Sequence, residues 1–149
     1  MGSTKDQPES TPAGSTLLWP PHAHIPGLNQ RHPEGWFDDI RNTVEGVSVD
    51  QLPKSSAWCH AMAYIEHEYY WEAHEVMEAV WFACAENSAE KLYVQSVIQS
   101  ANAALKRKMG RESAAMRLQE DATRLRKEAL LRKPQGLFGD TNFADTNIK

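Results

Sequence analysis

Hydrophobic residues recur at helical spacing from about residue 34 to residue 132 and divide this part of the chain into five segments. The predicted helices cover approximately residues 34–45, 55–68, 70–85, 88–109 and 112–132. Gly46 and Gly110 stand where two of these helices should end. No alternating strand pattern, heptad run or internal repeat interrupts the series. The pattern therefore predicts an all-α fold, a compact single-domain bundle of about four to five helices.

The segments before and after the helices have a different composition. Residues 1–16 are Ser, Thr, Pro, Gly and charged residues for the most part, which predicts a flexible N-terminal arm. Residues 17–33 combine several prolines with Leu17, Trp19 and Ile25, so we expect an extended strap that lies across the helical domain of residues 17–133. Residues 134–149 form a C-terminal tail, for which docking and fraying both stay open.

The third predicted helix combines charged and aromatic residues on one face. Its core-facing arc consists of Ala73, Val76, Met77, Val80 and Cys84. The opposite arc carries polar and aromatic side chains together: His74, Glu75, Glu78, Trp71, Trp81 and Phe82. A carboxylate among aromatic rings loses hydration worth several kcal/mol unless a partner replaces the water. We therefore expect these charged groups to have partners.

The fourth predicted helix offers such partners in a polar stripe. Gln95, Gln99, Asn102 and Lys106 follow one another at spacings of four, three and four residues, which places them on one ridge of a helix. We expect the third and fourth helices to pack side by side and to direct His74, Glu75 and Glu78 toward Gln95, Gln99 and Asn102.

Three interpretations of this polar seam are open. It can be a buried structural network that ties two helices together. It can be a pocket for a small-molecule ligand, or a general acid/base site, in which the surrounding rings raise the pKa of Glu75 or Glu78 and His74 is the partner. The candidate ligand-binding residues are then Glu72, His74, Glu75, Glu78, Trp81, Gln95, Gln99 and Asn102.

The third interpretation is a divalent-metal site formed by His74, Glu75 and Glu78, which suits an ion of intermediate hardness. A zinc peptidase is excluded because Glu78 stands where its second histidine is required. A di-metal bundle is excluded because no second helix carries a Glu-x-x-His pair. A structural or ligand-binding module is our first expectation, and a metal-dependent, hydrolase-like enzyme using these residues as catalytic candidates is the alternative.

The other histidines receive less weight as ligand or catalytic candidates. His22 and His24 lie in the proline-rich strap, where exposed histidines are usually incidental. His60 and His67 share a face of the second helix near Glu66 and are expected at a solvated helix end. His32 belongs to a turn at the entry to the first helix.

Composition narrows the class of protein. Of the 149 residues, 41% are hydrophobic and 24% charged, as in soluble globular proteins. The net charge of -4 argues against nucleic acid as a partner, and no apolar run is long enough to span a membrane. Two cysteines outside any metal or disulfide spacing indicate free thiols in a cytoplasmic protein. A homo-oligomer is expected if Trp36, Phe37, Tyr69 and Tyr70 do not all fit inside so small a body.

Three stretches resemble the bacterial family catalogued as domain of unknown function 309. They are the run from Trp71 to Trp81, the run from Val94 to Lys106, and Pro26-Gly27 followed by Arg31-His32-Pro33-Glu34. The resemblance implies a compact all-α fold and no established activity. It also implies signature polar positions, namely Glu72, His74, Glu75, Glu78, Gln95 and Gln99. Ser96 departs from the glycine that this family usually has there.

Overall fold

The computed structural model describes residues 16–139, and all regular secondary structure in this range is helical. The α-helices are α1 (Asp38–Arg41), α2 (Ser56–Glu66), α3 (Tyr70–Ala83), α4 (Ala89–Lys108) and α5 (Glu112–Arg132). Short 3-10 helices cover Asn42–Val44, Val49–Lys54 and Leu137–Gly139. The prediction of an all-α fold is confirmed. None of the described helices is both long enough and apolar enough to cross a membrane.

The boundaries of the longer helices follow from local sequence signals. The Ser55 hydroxyl accepts the backbone N–H of Trp58 at the start of α2, and the Ser88 hydroxyl accepts that of Lys91 at the start of α4. Gly110 follows α4 with a φ of +77°, the left-handed conformation that glycine adopts without strain. The four longer helices begin and end within two residues of their predicted bounds, although α3 and α5 have no side-chain N-cap.

The first predicted helix is shorter than the hydrophobic spacing suggests. Residues 34–45 form turns, the four-residue α1 and a 3-10 segment instead of one continuous helix. Gly35 has a φ of +85°, which interrupts a helix at this point, and α1 has no side-chain N-cap. Spacing alone could not show this, because Trp36, Phe37 and Ile40 remain at helical intervals.

Helix α4 is buried on two sides because it packs against both α3 and α5. One buried face carries Val94, Val97, Ile98 and Ala101, which belong to the main hydrophobic core. The other buried face carries a small residue at every seventh position, and the buried face of α5 has the same pattern. The two stripes are Ala89, Ser96 and Ala103 on α4, and Ala115, Ala122 and Ala129 on α5.

Small side chains allow the backbones of α4 and α5 to approach closely. The turn at Gly110 joins the two helices, which pack against each other with both stripes buried. The fully buried Ser96 hydroxyl donates to the carbonyl of Tyr93, 2.6 Å away in its own helix. The serine at this position therefore needs no polar partner on α5.

The strap, defined here as residues 17–33, runs without helix and packs against α2 and α3. The Trp19 ring meets the rings of Tyr64 at 5.5 Å and Tyr69 at 5.3 Å, both edge to face. Leu17 is buried. These contacts cover Leu17 and part of Trp19, whereas Leu18 and Leu28 of the same segment are exposed.

The ends of the chain are described in part. Leu137 and Phe138 are buried, and the Phe138 ring lies 4.6 Å from that of Trp58. The C-terminal tail is thus docked as far as the described range extends. The predicted flexible arm, apart from residue 16, and residues 140–149 of the tail lie outside the described residues.

The aromatic residues that suggested a homo-oligomer are accommodated within one chain. Phe37 is buried, and Trp36, Tyr69 and Tyr70 pack against the core while partly exposed. Large exposed apolar side chains lie elsewhere, with Phe82 and Leu131 among them. Self-association therefore stays a prediction without support from those four rings.

The close contact between α4 and α5 predicts that Ala122→Leu lowers the free energy of unfolding by about 1–3 kcal/mol, because the larger side chain overpacks the helix interface. Urea unfolding followed by circular dichroism measures this change. The neighbouring exposed position supplies the control, since Thr123→Leu introduces the same side chain outside the interface. Equal stability of the two variants would contradict the interface.

Candidate functional site

A fully buried carboxylate, that of Glu72, connects the first turn of α3 to the strap. Its side chain is 0% exposed, and its Oε2 atom accepts two hydrogen bonds. One comes from the backbone N–H of His24 at 2.7 Å and the other from Nε2 of His32 at 2.6 Å. The His32 side chain is itself only 1% exposed. One side chain of α3 therefore fixes two points of the strap.

The strap needs such a partner because its own backbone satisfies only some of its donors, with the Ile25 carbonyl accepting from Leu28 and Asn29. Prolines interrupt any helix here, and a buried backbone N–H without an acceptor is costly. A local turn prepares the contact: the Asn29 side chain accepts from the N–H of Ile25 and donates to the carbonyl of Ala23. This turn holds the N–H of His24 at the position where Glu72 receives it.

Aromatic rings enclose the Glu72–His32 pair. The His32 ring lies 5.7 Å from Phe37, 5.9 Å from Trp71 and 6.1 Å from Trp36, measured between ring centroids. In such surroundings an ionised carboxylate is stabilised only by the hydrogen bonds it receives.

Two atoms of this pair have no hydrogen-bond partner in the described structure: Oε1 of Glu72 and Nδ1 of His32. Oε1 of Glu72 is a hydrogen-bond acceptor, whereas Nδ1 of His32 accepts or donates according to the protonation of its ring. Buried polar atoms without hydrogen-bond partners are uncommon in proteins, and each one requires a structural or functional explanation.

His32 also lines a cleft of about 520 Å³ between the end of the strap, α1 and α3. Its other lining residues are Arg31, Pro33, Glu34, Gly35, Phe37, Asp38, Arg41, Trp71 and Glu75. The guanidinium of Arg31 lies 5.5 Å above the centroid of the Trp71 ring, a cation–π contact. The cleft thus places charged groups of both signs next to an aromatic wall.

The predicted residues of α3 divide between this cleft and the helix surface. Glu72 lies at the buried pair and Glu75 lines the cleft. Nε2 of His74 lies 3.7 Å from Glu78, whose side chain is 43% exposed. Arg41 approaches Glu78 to 3.6 Å and donates to the backbone carbonyl of Glu75. The polar face of α3 therefore finds its main partners in the strap and α1.

The predicted residues of α4 are not connected to those of α3. Gln95, Gln99 and Asn102 are half-buried, and within residues 16–139 no hydrogen bond or ion pair links them to His74, Glu75 or Glu78. Trp81 instead receives the ammonium of Lys91, 4.0 Å from its ring centroid. A seam between the two helices is not seen.

The histidines were misjudged from sequence. His24 and His32 are buried in the Glu72 contact, and His60 is 2% exposed. The expected solvated helix end is wrong for His60, whereas His67 is exposed. One signal was available: His60 falls between Ala57, Ala61 and Tyr64 on the buried face of α2. For His24 and His32 no local signal existed, because their partner is 40 or more residues away.

His60 and Tyr64 attach the strap to α2. Nε2 of His60 accepts the N–H of Leu18 at 3.0 Å, while Nδ1 is bonded to the carbonyl of Ser56 at 2.8 Å. Burial lowers the pKa of His60, partly opposed by the bond to Ser56. The Tyr64 hydroxyl donates to the Leu18 carbonyl, and burial followed by the charge of Glu72 raises the pKa of Tyr64. Both side chains are therefore uncharged partners of the strap at neutral pH.

No group of three or more His, Cys, Asp or Glu side chains within the described range is arranged to hold a metal ion. At the predicted position, Arg41 already supplies positive charge to Glu78. A divalent metal as cofactor stays a prediction from sequence. Cys59 and Cys84 are both free thiols, and burial raises the pKa of Cys84 to about 11.

Residues 58–118 match the family model described as Domain of unknown function (DUF309). This segment is a DUF309 domain. The match confirms the resemblance seen in the sequence, and it covers α2, α3, α4 and the start of α5. It includes Glu72 but neither His24 nor His32, its two partners. Comparisons with curated proteins and with solved structures find no match.

The Glu72 contact predicts that Glu72→Ala destabilises the protein by about 3–5 kcal/mol, because the change leaves two buried donors of the strap unpaired. Glu78→Ala removes the same side chain from an exposed position of the same helix and should cost less than about 1 kcal/mol. Chemical denaturation of both variants decides between them. Similar losses would show that burial of Glu72 does not matter.

His60 predicts a specific pH dependence of stability. Its folded pKa lies below the value of 6.5 for an unperturbed histidine, so the unfolded chain binds a proton first. Its contribution to stability is present above about pH 6.5 and is lost as the pH falls toward the folded pKa.

Urea midpoints measured between pH 7.5 and 5 test this window. His60→Gln should flatten the decline, whereas His67→Gln, which changes an exposed histidine next to α2, should leave it in place. A decline that persists unchanged in His60→Gln would assign it to other groups.

Proposed function

We propose that this protein is a binding module for a small polar ligand, which occupies the cleft between the strap, α1 and α3. The observation that carries this proposal is His32, a buried side chain in the lining of the cleft that is bonded to Glu72 and whose Nδ1 has no partner in the described structure. A binding site keeps such groups because a ligand completes the interactions that the protein leaves open.

A purely structural role explains less. A buried polar network that serves stability alone is expected to satisfy all its members, since each unpaired buried group costs free energy. The Glu72 network holds the strap and still leaves two buried polar atoms, Oε1 of Glu72 and Nδ1 of His32, without partners in the described structure. Attachment of the strap is thus part of the role of Glu72, because the attached strap forms one wall of the cleft.

The cleft also differs from the groove on α5, which has a similar volume of about 520 Å³. That groove lies among the stems of long side chains, with Arg107, Met116 and Lys127 in its lining. Of the two, the cleft is the one lined by a buried titratable side chain and an aromatic ring, which supply orientation and contact area. We therefore expect specific binding at the cleft.

A screen of small polar compounds by NMR tests the proposal on the whole chain. Mixtures of amines, carboxylic acids, sugars and nucleosides are added to ¹⁵N-labelled protein. We expect at least one compound class to shift the backbone signals of residues 31–41 together with the Trp71 indole signal, in the millimolar range or tighter. Shifts confined to residues 107–127, or no saturable shifts, would overturn the proposal.

A further inference from the structure

Most of the charged side chains that lack an ion-pair partner in the cleft are negative. Three carboxylates line it, those of Glu34, Asp38 and Glu75, and none of them forms an ion pair within the described part of the chain. Of the two guanidinium groups, that of Arg41 is committed to the Glu75 carbonyl and lies near Glu78. Arg31 is left as the one cation of the lining without such a commitment.

The buried pair at the cleft adds to this asymmetry. His32 lines the cleft with a side chain that is 1% exposed, and its Nδ1 has no hydrogen-bond partner in the described structure. Oε1 of Glu72, the residue bonded to His32, is an unpartnered acceptor of a carboxylate. In a region of low dielectric constant a carboxylate contributes a negative potential that attracts donors and cations.

The aromatic wall of the cleft, the Trp71 ring, already contacts a cation, the guanidinium of Arg31. Arg31 lies over the Trp71 ring from an exposed position, with no carboxylate within ion-pair distance in the described structure. The negative face of an indole attracts ammonium and guanidinium groups alike. A ligand cation that displaces Arg31 from this ring would also come close to the free carboxylates of the same cleft.

From these three observations we propose that the ligand of the cleft is a small organic cation, an alkylammonium or guanidinium compound, held between Trp71 and the carboxylates of Glu34, Asp38 and Glu75. This inference rests on the proposed function, since it names the ligand class of the same site. A small carboxylate is the competing class, and it would depend on Arg31 as its main partner.

Two probes of equal chain length and opposite charge separate these classes. 1,4-Diaminobutane and butanedioate are titrated into the full-length protein at low ionic strength, with the Trp71 indole NMR signal as readout. We expect the diamine to bind at least about tenfold more tightly and to lose affinity as salt is added. Tighter binding of butanedioate would overturn the cationic class and leave the proposed function standing.

Three variants test these contacts, because each is expected to change the affinity for the diamine in a different way. Glu75→Gln should weaken diamine binding several-fold, whereas Arg31→Gln should strengthen it, because the competing guanidinium is removed from Trp71. Glu112→Gln, a change in an exposed glutamate at the start of α5, is the matched control and should leave the affinity unchanged. Weaker diamine binding in Arg31→Gln, or an equal loss in Glu112→Gln, would contradict the site.

The outcome of the compound screen distinguishes the two levels of inference. If other compounds shift the cleft signals and neither amines nor guanidines do, the cationic class is wrong and the binding module remains. If no compound of any charge shifts them, both proposals fail together. Thermal unfolding of each variant, expected to match the parent protein within a few degrees, shows that a lost affinity is not a lost fold.

Discussion

The structure of this protein depends on one buried acceptor, the Oε2 atom of Glu72. A proline-rich segment has few ways to satisfy its own backbone donors, so it can lie against a helical body only where that body offers hydrogen-bonding groups. Glu72 offers one, and His60 and Tyr64 provide a second attachment through Leu18. The strap position, the enclosure of His32 and the wall of the cleft all follow from these contacts. Without them, the aromatic residues of the strap would have no fixed place on α2 and α3.

The parts of the fold that local sequence determines could be predicted from sequence. The four longer helices follow from apolar spacing and serine caps, and the core-facing arc of α3 is buried as expected. Contacts across long separations could not be predicted in the same way. The sequence showed that carboxylates on α3 needed partners, but Glu72 and its partners are 40 or more residues apart. Spacing within one helix carries no information about which distant segment is placed against it.

The expected seam between α3 and α4 was not found for a related reason. Gln95, Gln99 and Asn102 are regularly spaced and form one ridge of α4. A helix with several neighbours can present such a ridge to any one of them. Residues Ser96 and Ala103 on α4 proved to be a second buried face, made for close approach of α5. With core on one side and α5 on the other, α4 has little surface left to complete a polar site. The strap and α1 supply those groups to α3 instead.

The two halves of the Glu72 contact constrain the sequence differently. At His32 the carboxylate binds a side chain, so the identity of that residue is fixed by the need for a donor of the right length. At position 24 it binds the main chain, and any residue except proline provides the same N–H. The Glu72 contact therefore constrains the side chain at position 32, whereas the side chain at position 24 is constrained by other contacts, those with Asn29 and Trp71. A contact made through the backbone leaves little trace in a sequence comparison, and a strap of this kind can be conserved in shape while it diverges in sequence.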